Sequence, residues 1–480
     1  MNLSFPTSIA VLAGYLLKFQ ISCQVWDEQI QTLSPQLLAK LLSQLTHPKV
    51  VGLSSVTLTA SRCQELAAMI KSLDASVTIL VGGIHATVLP EDFLANPHMD
   101  LVVRGEGELT LKEILDHLLA GQDPRQGNIQ GISYRSPEGK FIHQPDRPLL
   151  KDLDEIPPMP YHLFAQHKEH YSNFGILFGS RGCPYPCTFC SARSISGTKY
   201  RFHSVERMVS EAKRLVEEYQ QPLIHLADDN IAVHKRHFKE LCQGIIDAGL
   251  HHKAAFHGSL RGDDATDEIL AMARQANFTI IYFGLETGSE RLMEVIRKKE
   301  KVQEVVDAIH RAHQHGLAVG TTLIFGLPSE TREERQSALQ LVHSLPLASV
   351  RFNTLAPYPG TAVYQEYFPQ GKVLVKPGWA NFNVQYMWES DEIPFVPDGT
   401  NRVELIFDTM YANLPFYLSW HGIRQVLSKP VAGGNVVHLG ERWYTQLPKM
   451  WKMFLLFQYL MRRFAGVALR YFLFRLRPTP

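Results

Sequence analysis

Cysteine is scarce in this chain. Only six of the 480 residues are cysteines, and Cys23, Cys63 and Cys242 each stand alone. Their spacing offers no disulfide framework, which argues against a small cross-linked secreted scaffold and favours a reducing, cytoplasmic environment. We expect these three isolated cysteines to be ordinary small residues of the core.

Long apolar runs and an excess of one charge are also missing. No uncharged apolar run reaches the ~18 residues that predict a membrane span. Residues 9–17 have neither the basic start nor the cleavage site of a secretory signal. The formal net charge of +1 gives no reason to expect a nucleic acid partner. The apolar content of 45% is that of a globular protein, and the length predicts two to three domains.

The N-terminal part alternates between helical and strand patterns. Strands are expected at Val50–Ser55, Val77–Val81 and Leu101–Val103, with helices between them. This order predicts an α/β fold with a doubly wound, Rossmann-like parallel sheet. A ligand of such a sheet lies across the strand ends, where serines and glycines follow here. Those glycines have a second interpretation as tight turns, and the GxGxxG motif of dinucleotide sites is absent.

Three less regular stretches accompany this pattern. Ile21–Trp26 has the composition of a short strand. Gln122–Asp146 is polar and predicts a linker, with a hairpin-like section at Ile132–Ile142. Leu153–Pro160 predicts a connector stiffened by prolines.

Three cysteines lie within one short loop. Cys183, Cys187 and Cys190 have the spacing C-x3-C-x2-C and follow an apolar strand at Gly175–Gly179. Thiolates are soft ligands that suit zinc or iron–sulfur clusters. Zinc prefers four protein ligands, and no second CxxC pair occurs, whereas three thiolates on a four-iron cluster leave one iron open. A small zinc site or a chance grouping remains an alternative on this motif alone.

A second β/α series begins at these cysteines. Six strands can be counted from Ile176 to Leu355, each followed by polar or glycine-rich residues. Six such units predict a partial (β/α)6 barrel of the TIM type, whose reactive face is the edge where the strands end. Asp228, Arg261 and Glu286 lie at that edge, although each alone could be a solvated loop charge.

The cysteine motif, with Phe189 before its last cysteine, resembles the radical S-adenosylmethionine (SAM) enzymes. Leu226–Asn230, Gly284–Gly288 with Lys298, Gly326–Thr331 and Tyr358–Thr361 resemble the successive barrel motifs of that family. The resemblance implies a [4Fe–4S] cluster on the three cysteines, with SAM on its open iron and cleaved to a 5′-deoxyadenosyl radical. It also implies SAM contacts, in which Arg261 pairs with the carboxylate, Glu286 holds the ribose, and Gly326 and Ala356 lie along the adenine. The implied SAM-binding residues are Phe189, Asp228, Arg261, Glu286, Gly326 and Ala356.

The N-terminal part resembles the cobalamin-binding domain that precedes many radical SAM cores. The likeness rests on Val81–Thr87, Pro90–Glu91 and Val102–Glu108. Two departures accompany it, since the first strand of that domain is missing and no D-x-H-x-x-G motif offers a histidine to the cobalt. The resemblance implies cobalamin contacts at Ser55, Thr57, Gly82, Gly83, Glu106, Gly107 and Glu108.

The C-terminal part is aromatic and basic. Trp379, Tyr386 and Trp388 either close over the open face of the barrel or pack on its flank. Residues 441–480 carry eight basic residues and one acidic residue, a net charge of +7. Met450–Leu476 predicts a basic amphipathic helix, which binds a membrane surface or docks on the protein.

Together these patterns predict a cobalamin-dependent radical SAM methyltransferase acting on an unactivated carbon. The alternatives are a radical cyclase or oxidoreductase without methyl transfer, and a non-catalytic metal-binding module tethered to membranes. Expected partners are a small-molecule substrate such as a lipid or isoprenoid and an electron donor such as flavodoxin or ferredoxin. Peripheral contact with a membrane is expected through the C-terminal tail. The expected domains are a cobalamin-binding domain at 1–145, a connector at 146–170, the barrel at 171–365, a mostly helical region at 366–440 and a basic tail at 441–480.

Overall fold

The computed structural model describes residues 3–418 and 449–476. Two β-sheets organise these residues, a five-stranded sheet near the N-terminus and a six-stranded sheet after it. The predicted boundary between residues 440 and 441 lies outside the described residues. Elements are numbered in chain order, with single turns of 3-10 helix left without a label.

The N-terminal sheet has helices on both faces. Its strand order is β2-β3-β4-β5-β6, with β2, β3 and β4 parallel and β5 and β6 added as an antiparallel hairpin. Ile79 and Val81 of β3 belong to one apolar cluster, and Leu80 between them belongs to another on the opposite face. Both faces are therefore buried, as the doubly wound prediction requires. The strands are β2 Val50–Ser54, β3 Thr78–Gly82, β4 Leu101–Val103, β5 Ile132–Arg135 and β6 Phe141–His143. The helices are α1 Thr7–Lys18, α2 Pro35–Leu42, α3 Ala60–Leu73, α4 Ile84–Val88, α5 Pro90–Leu94 and α6 Gly107–Leu119.

The second sheet is the predicted partial barrel. Its six strands are all parallel, in the order β15-β14-β13-β12-β11-β8. Along β13, Ile281, Phe283 and Leu285 are fully buried, while Tyr282 between them stays half-buried on the other face. The strands are β8 Ile176–Leu177, β11 Leu223–Leu226, β12 Ala255–Leu260, β13 Phe278–Glu286, β14 Ala318–Phe325 and β15 Ser349–Thr354. The helices are α8 Val205–Glu217, α9 Lys235–Asp247, α10 Asp267–Gln275, α11 Glu290–Val295, α12 Val302–Gln314, α13 Arg332–Ser344 and α14 Ala362–Tyr367.

Short elements join the two halves. The N-terminal strand β1, Leu3–Ser4, pairs with β7, Tyr171–Asn173, so β2 is an edge of the five-stranded sheet. The proline connector packs on α1, where a Cβ on Gly14 would lie 3.1 Å from the carbonyl oxygen of Pro158. Two further short strands, β9 Ser180–Arg181 and β10 Arg201–Phe202, form an antiparallel ribbon, with helix α7, Ala192–Ser196, between them.

The C-terminal helices pack on the barrel and on each other. Helix α15 spans Arg402–Leu418 and contacts β15, and helix α16 spans Lys449–Arg475 and contacts α15. Tyr471 of α16 stacks on Phe407 of α15 at 4.2 Å between ring centroids. Arg463 and Arg470 both pair with Asp391. In the described ranges, no helix is long and apolar enough to cross a membrane.

Two predicted elements differ from the structure. Residues 21–26 form no strand, since the composition that suggested one is a weak preference which the packing of the folded chain overrides. The hairpin-like section predicted at Ile132–Ile142 is confirmed as the β5–β6 hairpin, but it belongs to the N-terminal sheet and not to the linker predicted at 122–146. That hairpin covers the edge of β4, which would otherwise expose unpaired backbone groups.

Candidate active site

The three clustered cysteines lie in a loop closed at its neck. Residues 182–200 connect β9 to β10, and the Cys183 amide donates to the carbonyl of Gly197 at 3.3 Å. Gly182 has a φ of +88°, and a Cβ there would overlap the carbonyl oxygen of Lys199. Only glycine satisfies both conditions, so the neck requires it.

The thiols of this loop lie near one another. Burial raises the pKa of all three cysteines, that of Cys190 to about 12. Cys183 and Cys187 also raise the pKa of Cys190 through their charges, whereas Arg261 and Lys298 lower the pKa of Cys187. Negative charge on the sulfurs therefore has two cations nearby to stabilise it.

The donor set fits an iron–sulfur cluster better than a single ion. The three thiols are free, and within the described part of the chain no three His, Cys, Asp or Glu side chains stand close enough to hold a metal ion. A four-iron cluster holds its cysteine sulfurs farther apart than one ion does. Three soft thiols in one loop, with cations beside them, suit such a cluster.

Arg261 braces the cysteine loop. Its guanidinium lies over the ring of Tyr185, 3.6 Å from the ring centroid. It donates to both carboxylate oxygens of Asp263 and to the carbonyls of Lys298 and Lys299, each at 3.0 Å. Four of its five N–H groups are thus used within the protein. The predicted pairing with the SAM carboxylate would require some of these bonds to be given up.

Lys298 lies under the same loop in a constrained segment. Its neighbours Arg297 and Lys299 both have left-handed backbones, with φ of +51° and +54°. Its Nζ lies 3.2 Å from Glu286 and 3.5 Å from Glu300, and it also donates to the Gly284 carbonyl. Such conformations persist only where surrounding contacts hold them, and they concentrate at functional sites.

Glu286 ends strand β13 in an unusual conformation. Its φ is +61°, and the pairing of β13 with β14 shifts register between Gly284 and Glu286. The bulge turns the Glu286 carboxylate toward Lys298. The side chain therefore lies at the strand edge where it was predicted, fixed by a cation.

Asp228 and Asp229 have different environments. Asp228 is buried and accepts hydrogen bonds from the amides of Gly179 and Ser180 and from the Ser180 hydroxyl. Burial raises its pKa to about 6. Asp229 is exposed, yet desolvation raises its pKa and its charge raises that of Cys183 and Cys190. Asp228 thus fixes the start of the cysteine loop, and Asp229 places a negative charge near the thiols of Cys183 and Cys190.

The other predicted SAM contacts surround this edge. Phe189 is half-buried against the main core, and Ala356 is buried after β15. Gly326 has a φ of +85° and donates its amide to the buried carboxylate of Glu330. They lie at or beside the barrel's strand ends, and whether they bind SAM stays a prediction.

Glu330 belongs to a buried charge network that ties the strand edge to α15. Arg335 lies 3.6 Å from Glu330, 3.3 Å from Glu404 and 3.2 Å from Asp408, and Arg332 pairs with the last two. Three carboxylates thus share two arginines. Burial raises the pKa of Glu330, the deepest of the three, to about 8.

The predicted cobalamin face combines buried hydroxyls with open glycines. Ser55 and Thr57 are buried, and they bond to the Val56 carbonyl and to His85. Gly83 has a φ of +99°, and a Cβ there would overlap the Ser55 carbonyl, so this glycine serves a tight crossing of two loops. The backbone of Gly82, Gly83 and Gly107 nevertheless remains half-exposed.

One glycine of this face, Gly105, has open space beside it. A Cβ on Gly105 would meet no atom within 4 Å, and its amide donates to Thr87 at 3.0 Å. Glu106 and Glu108, the remaining predicted cobalamin contacts, are buried and pair with arginines of the ribbon β9–β10. The glycine backbone fits cobalamin, whereas the two glutamates are held by the protein itself.

Residues of the C-terminal part close the junction of the two sheets. The Trp379 indole donates to Asp92 at 3.0 Å, and its ring meets that of His85. Trp388 is buried and donates to Gln385. Trp379 therefore bridges both halves, whereas Trp388 packs inside the C-terminal part.

Sequence reasoning missed several residues of this site. Tyr185 and Glu300 were not singled out, and Asp229, Lys298 and Glu330 were noted only as parts of motifs. Charged residues at strand ends, and two adjacent acids at Asp228 and Asp229, were the available signals. Which of these residues points toward the cysteine loop depends on side-chain direction, and the sequence pattern does not give that direction.

Two family models match the chain. The model described as the radical SAM superfamily matches residues 177–342, and the model described as a B12 binding domain matches residues 3–115. The first covers the cysteine loop and most of the barrel. The second covers the strand ends with the glycines.

Curated relatives share most of their length with this chain. An uncharacterized methyltransferase of Pyrococcus horikoshii is 31% identical over 380 residues, covering 78% of this chain and 81% of the relative. The anaerobic magnesium-protoporphyrin IX monomethyl ester cyclase of Rubrivivax gelatinosus is 24% identical over 368 residues, covering 75% of this chain and 66% of the relative. The hopanoid C-3 methylase of Methylococcus capsulatus is 26% identical and covers 81% and 72%.

A solved structure has the same fold. The radical SAM methyltransferase TsrM of Kitasatospora setae, with cobalamin and a [4Fe–4S] cluster bound, has a TM-score of 0.69 to this chain at 15% identity. The match covers 88% of this chain and 96% of that one. With the 31% identical relative and the two family models, it leads to one conclusion: the chain belongs to the radical SAM superfamily and carries a B12-binding domain before its radical SAM core.

Proposed function

We propose that this enzyme transfers a methyl group to an unactivated carbon of an apolar small molecule. One observation carries the proposal: the cysteine loop of the barrel and the glycine face of the N-terminal sheet are joined directly through Glu106, Glu108, Arg181 and Arg201. A cluster and a cobalamin bound at these places would share one junction. Methyl transfer needs that proximity, because both cofactors act on the same carbon.

The chain provides position and a shielded site for its cofactors. As a radical SAM protein with a B12-binding domain, it uses a [4Fe–4S] cluster, SAM and cobalamin. The cluster and SAM together supply the radical, and cobalamin supplies the methyl group. Cys183, Cys187 and Cys190 would hold the cluster, Lys298 and Arg261 would place positive charge beside it, and Glu286 and Asp229 would offer acceptors to SAM. Trp379 shields the junction from water.

The runner-up is radical chemistry without methyl transfer, as in the cyclase relative. The two differ in how SAM is consumed. Radical formation uses one electron from a reductant and one hydrogen atom from the substrate to turn one SAM into methionine and 5′-deoxyadenosine, and methylation turns a second SAM into S-adenosylhomocysteine. Anaerobic incubation of the reconstituted enzyme with dithionite, a total lipid extract and SAM labelled in its methyl group separates them. We expect label in the organic phase, whereas 5′-deoxyadenosine without S-adenosylhomocysteine would favour the runner-up.

A lipid-like substrate is supported by the outer face of α16. Leu469 and Phe472 lie on this face and are 61% and 58% exposed, and Leu476, directly after the helix, is 78% exposed. Arg462 and Arg475, also exposed, flank them, and residues 449–476 contain no acidic residue. An apolar helix face edged with arginines suits the surface of an anionic bilayer.

Charge argues against two other occupants of this face. A second copy would bring the same arginines against each other. Residues 419–448 carry three basic residues and one acidic residue, so they have the same sign of charge. An anionic lipid surface is the occupant with the opposite sign.

Vesicle sedimentation tests this contact. We expect the full chain to sediment with phosphatidylglycerol vesicles and less with phosphatidylcholine vesicles. Leu469→Glu with Phe472→Glu should weaken binding about tenfold or more, since burying each side chain contributes about 1.5–3 kcal/mol. Leu119→Glu, at a side chain 59% exposed on α6, is the matched control. Unchanged sedimentation of the double variant, or a dimer that it dissociates, would contradict the lipid surface.

A further inference from the structure

Four buried charges join the cysteine loop to the loop that follows β4. Arg181 and Arg201 are the last residue of β9 and the first of β10, so they bracket the cysteine loop at residues 182–200. Glu106 and Glu108 lie at the start of α6, beside the glycines that face the predicted cobalamin site. Each of the four residues belongs to one cofactor loop and contacts the other.

The geometry of this charge cluster is tight. Arg201 binds both oxygens of Glu106, at 2.8 and 3.0 Å, and is 5% exposed. Arg181 reaches Glu106 at 3.3 Å and also pairs with Glu108. The Leu150 amide donates to Glu106 at 3.0 Å, which ties the connector to the same point. The paired, buried charges are the kind whose separation is costly.

The ribbon needs these carboxylates. Arg181 and Arg201 are directly opposite each other in the β9–β10 pair, and like charges in that position repel. Glu106 lies within reach of both guanidinium groups and offsets the repulsion. Although burial disfavours its charge, the two arginines keep the pKa of Glu106 below its usual value. The neck of the cysteine loop is thus held from the N-terminal domain.

We propose that this cluster couples the two cofactors, so that assembly of the iron–sulfur cluster tightens cobalamin binding and the reverse. Arg181, Arg201, Glu106 and Glu108 are positioning residues in this account. Ordering one loop fixes the arginines or the glutamates, and the ion pairs pass that order to the other loop. Part of the ordering cost of the second cofactor is then already met by the first.

Cobalamin titration tests the coupling without turnover. The dissociation constant of hydroxocobalamin is measured by absorbance, anaerobically, for the full chain before and after iron–sulfur reconstitution. We expect at least about fivefold tighter binding after reconstitution, the lower end of typical coupling between sites. By reciprocity, cobalamin should slow iron loss to a chelator. Neither SAM nor substrate is needed, so failure of methyl transfer would leave this result standing.

Two variants and a control make the test specific. In Arg181→Gln the ratio of the two dissociation constants should fall to about one, while each cofactor still binds alone, and Arg181→Lys should restore part of it. Glu108→Gln, isosteric at the opposite end of the same pair, should also bring the ratio to about one, whatever its own effect on cobalamin affinity. Arg125→Gln, which removes an arginine paired with Asp123 in an exposed turn, should keep the wild-type ratio. A wild-type ratio of one, or a ratio retained in both variants, would overturn the proposal.

Discussion

Single residues around the cysteine loop have backbones that few side chains tolerate. Gly182 at the neck, Glu286 at the end of β13, and Arg297 and Lys299 beside Lys298 all have positive φ. Each is held by contacts with its surroundings, and together they fix where the thiols and the nearby charges lie.

Gly182→Ala should abolish most cluster binding. A side chain there costs about 1–2 kcal/mol for the left-handed backbone alone, and it would also overlap Lys199. Iron and sulfide per chain after anaerobic reconstitution measure the effect. Gly139→Ala is the matched control, because Gly139 has a similar φ of +82° but open space around it. Equal iron content in the two variants would contradict the requirement for glycine at the neck of the cysteine loop.

Arg261→Lys separates two roles of one residue. Lysine cannot reproduce the fork that holds Asp263 and two carbonyls, nor the stacking on Tyr185. We expect the variant to lose its cluster faster than wild type under a chelator. A variant with a stable cluster and only weaker SAM binding would instead restore the predicted role as the carboxylate partner.

Glu330 should make stability depend on pH. Burial raises its pKa from 4.5 to about 8, so the folded chain keeps a proton that the unfolded chain releases between these values. The free energy of unfolding contributed by Glu330 therefore falls as pH rises from about 4.5 to about 8. Urea midpoints across this range should fall more steeply for wild type than for Glu330→Gln. Glu333→Gln, at an exposed residue nearby, is the control and should show the pH dependence of wild type. Equal slopes of the urea midpoint against pH in all three proteins would contradict the raised pKa of Glu330.

At the level of elements, the sequence predicted the barrel well. All six strands are confirmed, because buried parallel strands are continuously apolar. The hairpin predicted at Ile132–Ile142 is confirmed, but the sequence assigned it to a linker and not to the sheet that it extends, and Ile21–Trp26 forms no strand. Whether such a run joins a sheet depends on which edge is free beside it, and that is a property of the folded chain.

Helix α16 should stabilise the barrel through one face only. Tyr471 is buried against Phe407 and accepts a hydrogen bond from Arg332 at 2.6 Å, whereas Leu476 is 78% exposed. Tyr471→Ala should lower the free energy of unfolding by about 3 kcal/mol, and Leu476→Ala by less than about 0.5 kcal/mol. Denaturation followed by tryptophan fluorescence measures both values. Equal losses of unfolding free energy in the two variants would contradict packing of α16 through one face only.

At the scale of the whole molecule, two sheet edges meet at one junction. The candidate residues at each edge could be predicted, because strand ends are visible as polar or glycine residues after apolar runs. Their partners could not, since Arg181 and Glu108 are 73 positions apart and Trp379 and Asp92 are 287 apart. Contacts of that separation are set by how the domains pack, not by local pattern.

Whether this junction serves methyl transfer can be measured in a single reaction. The chain is reconstituted anaerobically with iron, sulfide and hydroxocobalamin, desalted, and given dithionite and SAM. For the wild-type chain we predict an absorbance band of the cluster, retained cobalamin, and both 5′-deoxyadenosine and S-adenosylhomocysteine. In Cys190→Ala we predict that the cobalamin is retained and that the cluster band and both products are lost. A cluster with 5′-deoxyadenosine but neither retained cobalamin nor S-adenosylhomocysteine would contradict the account.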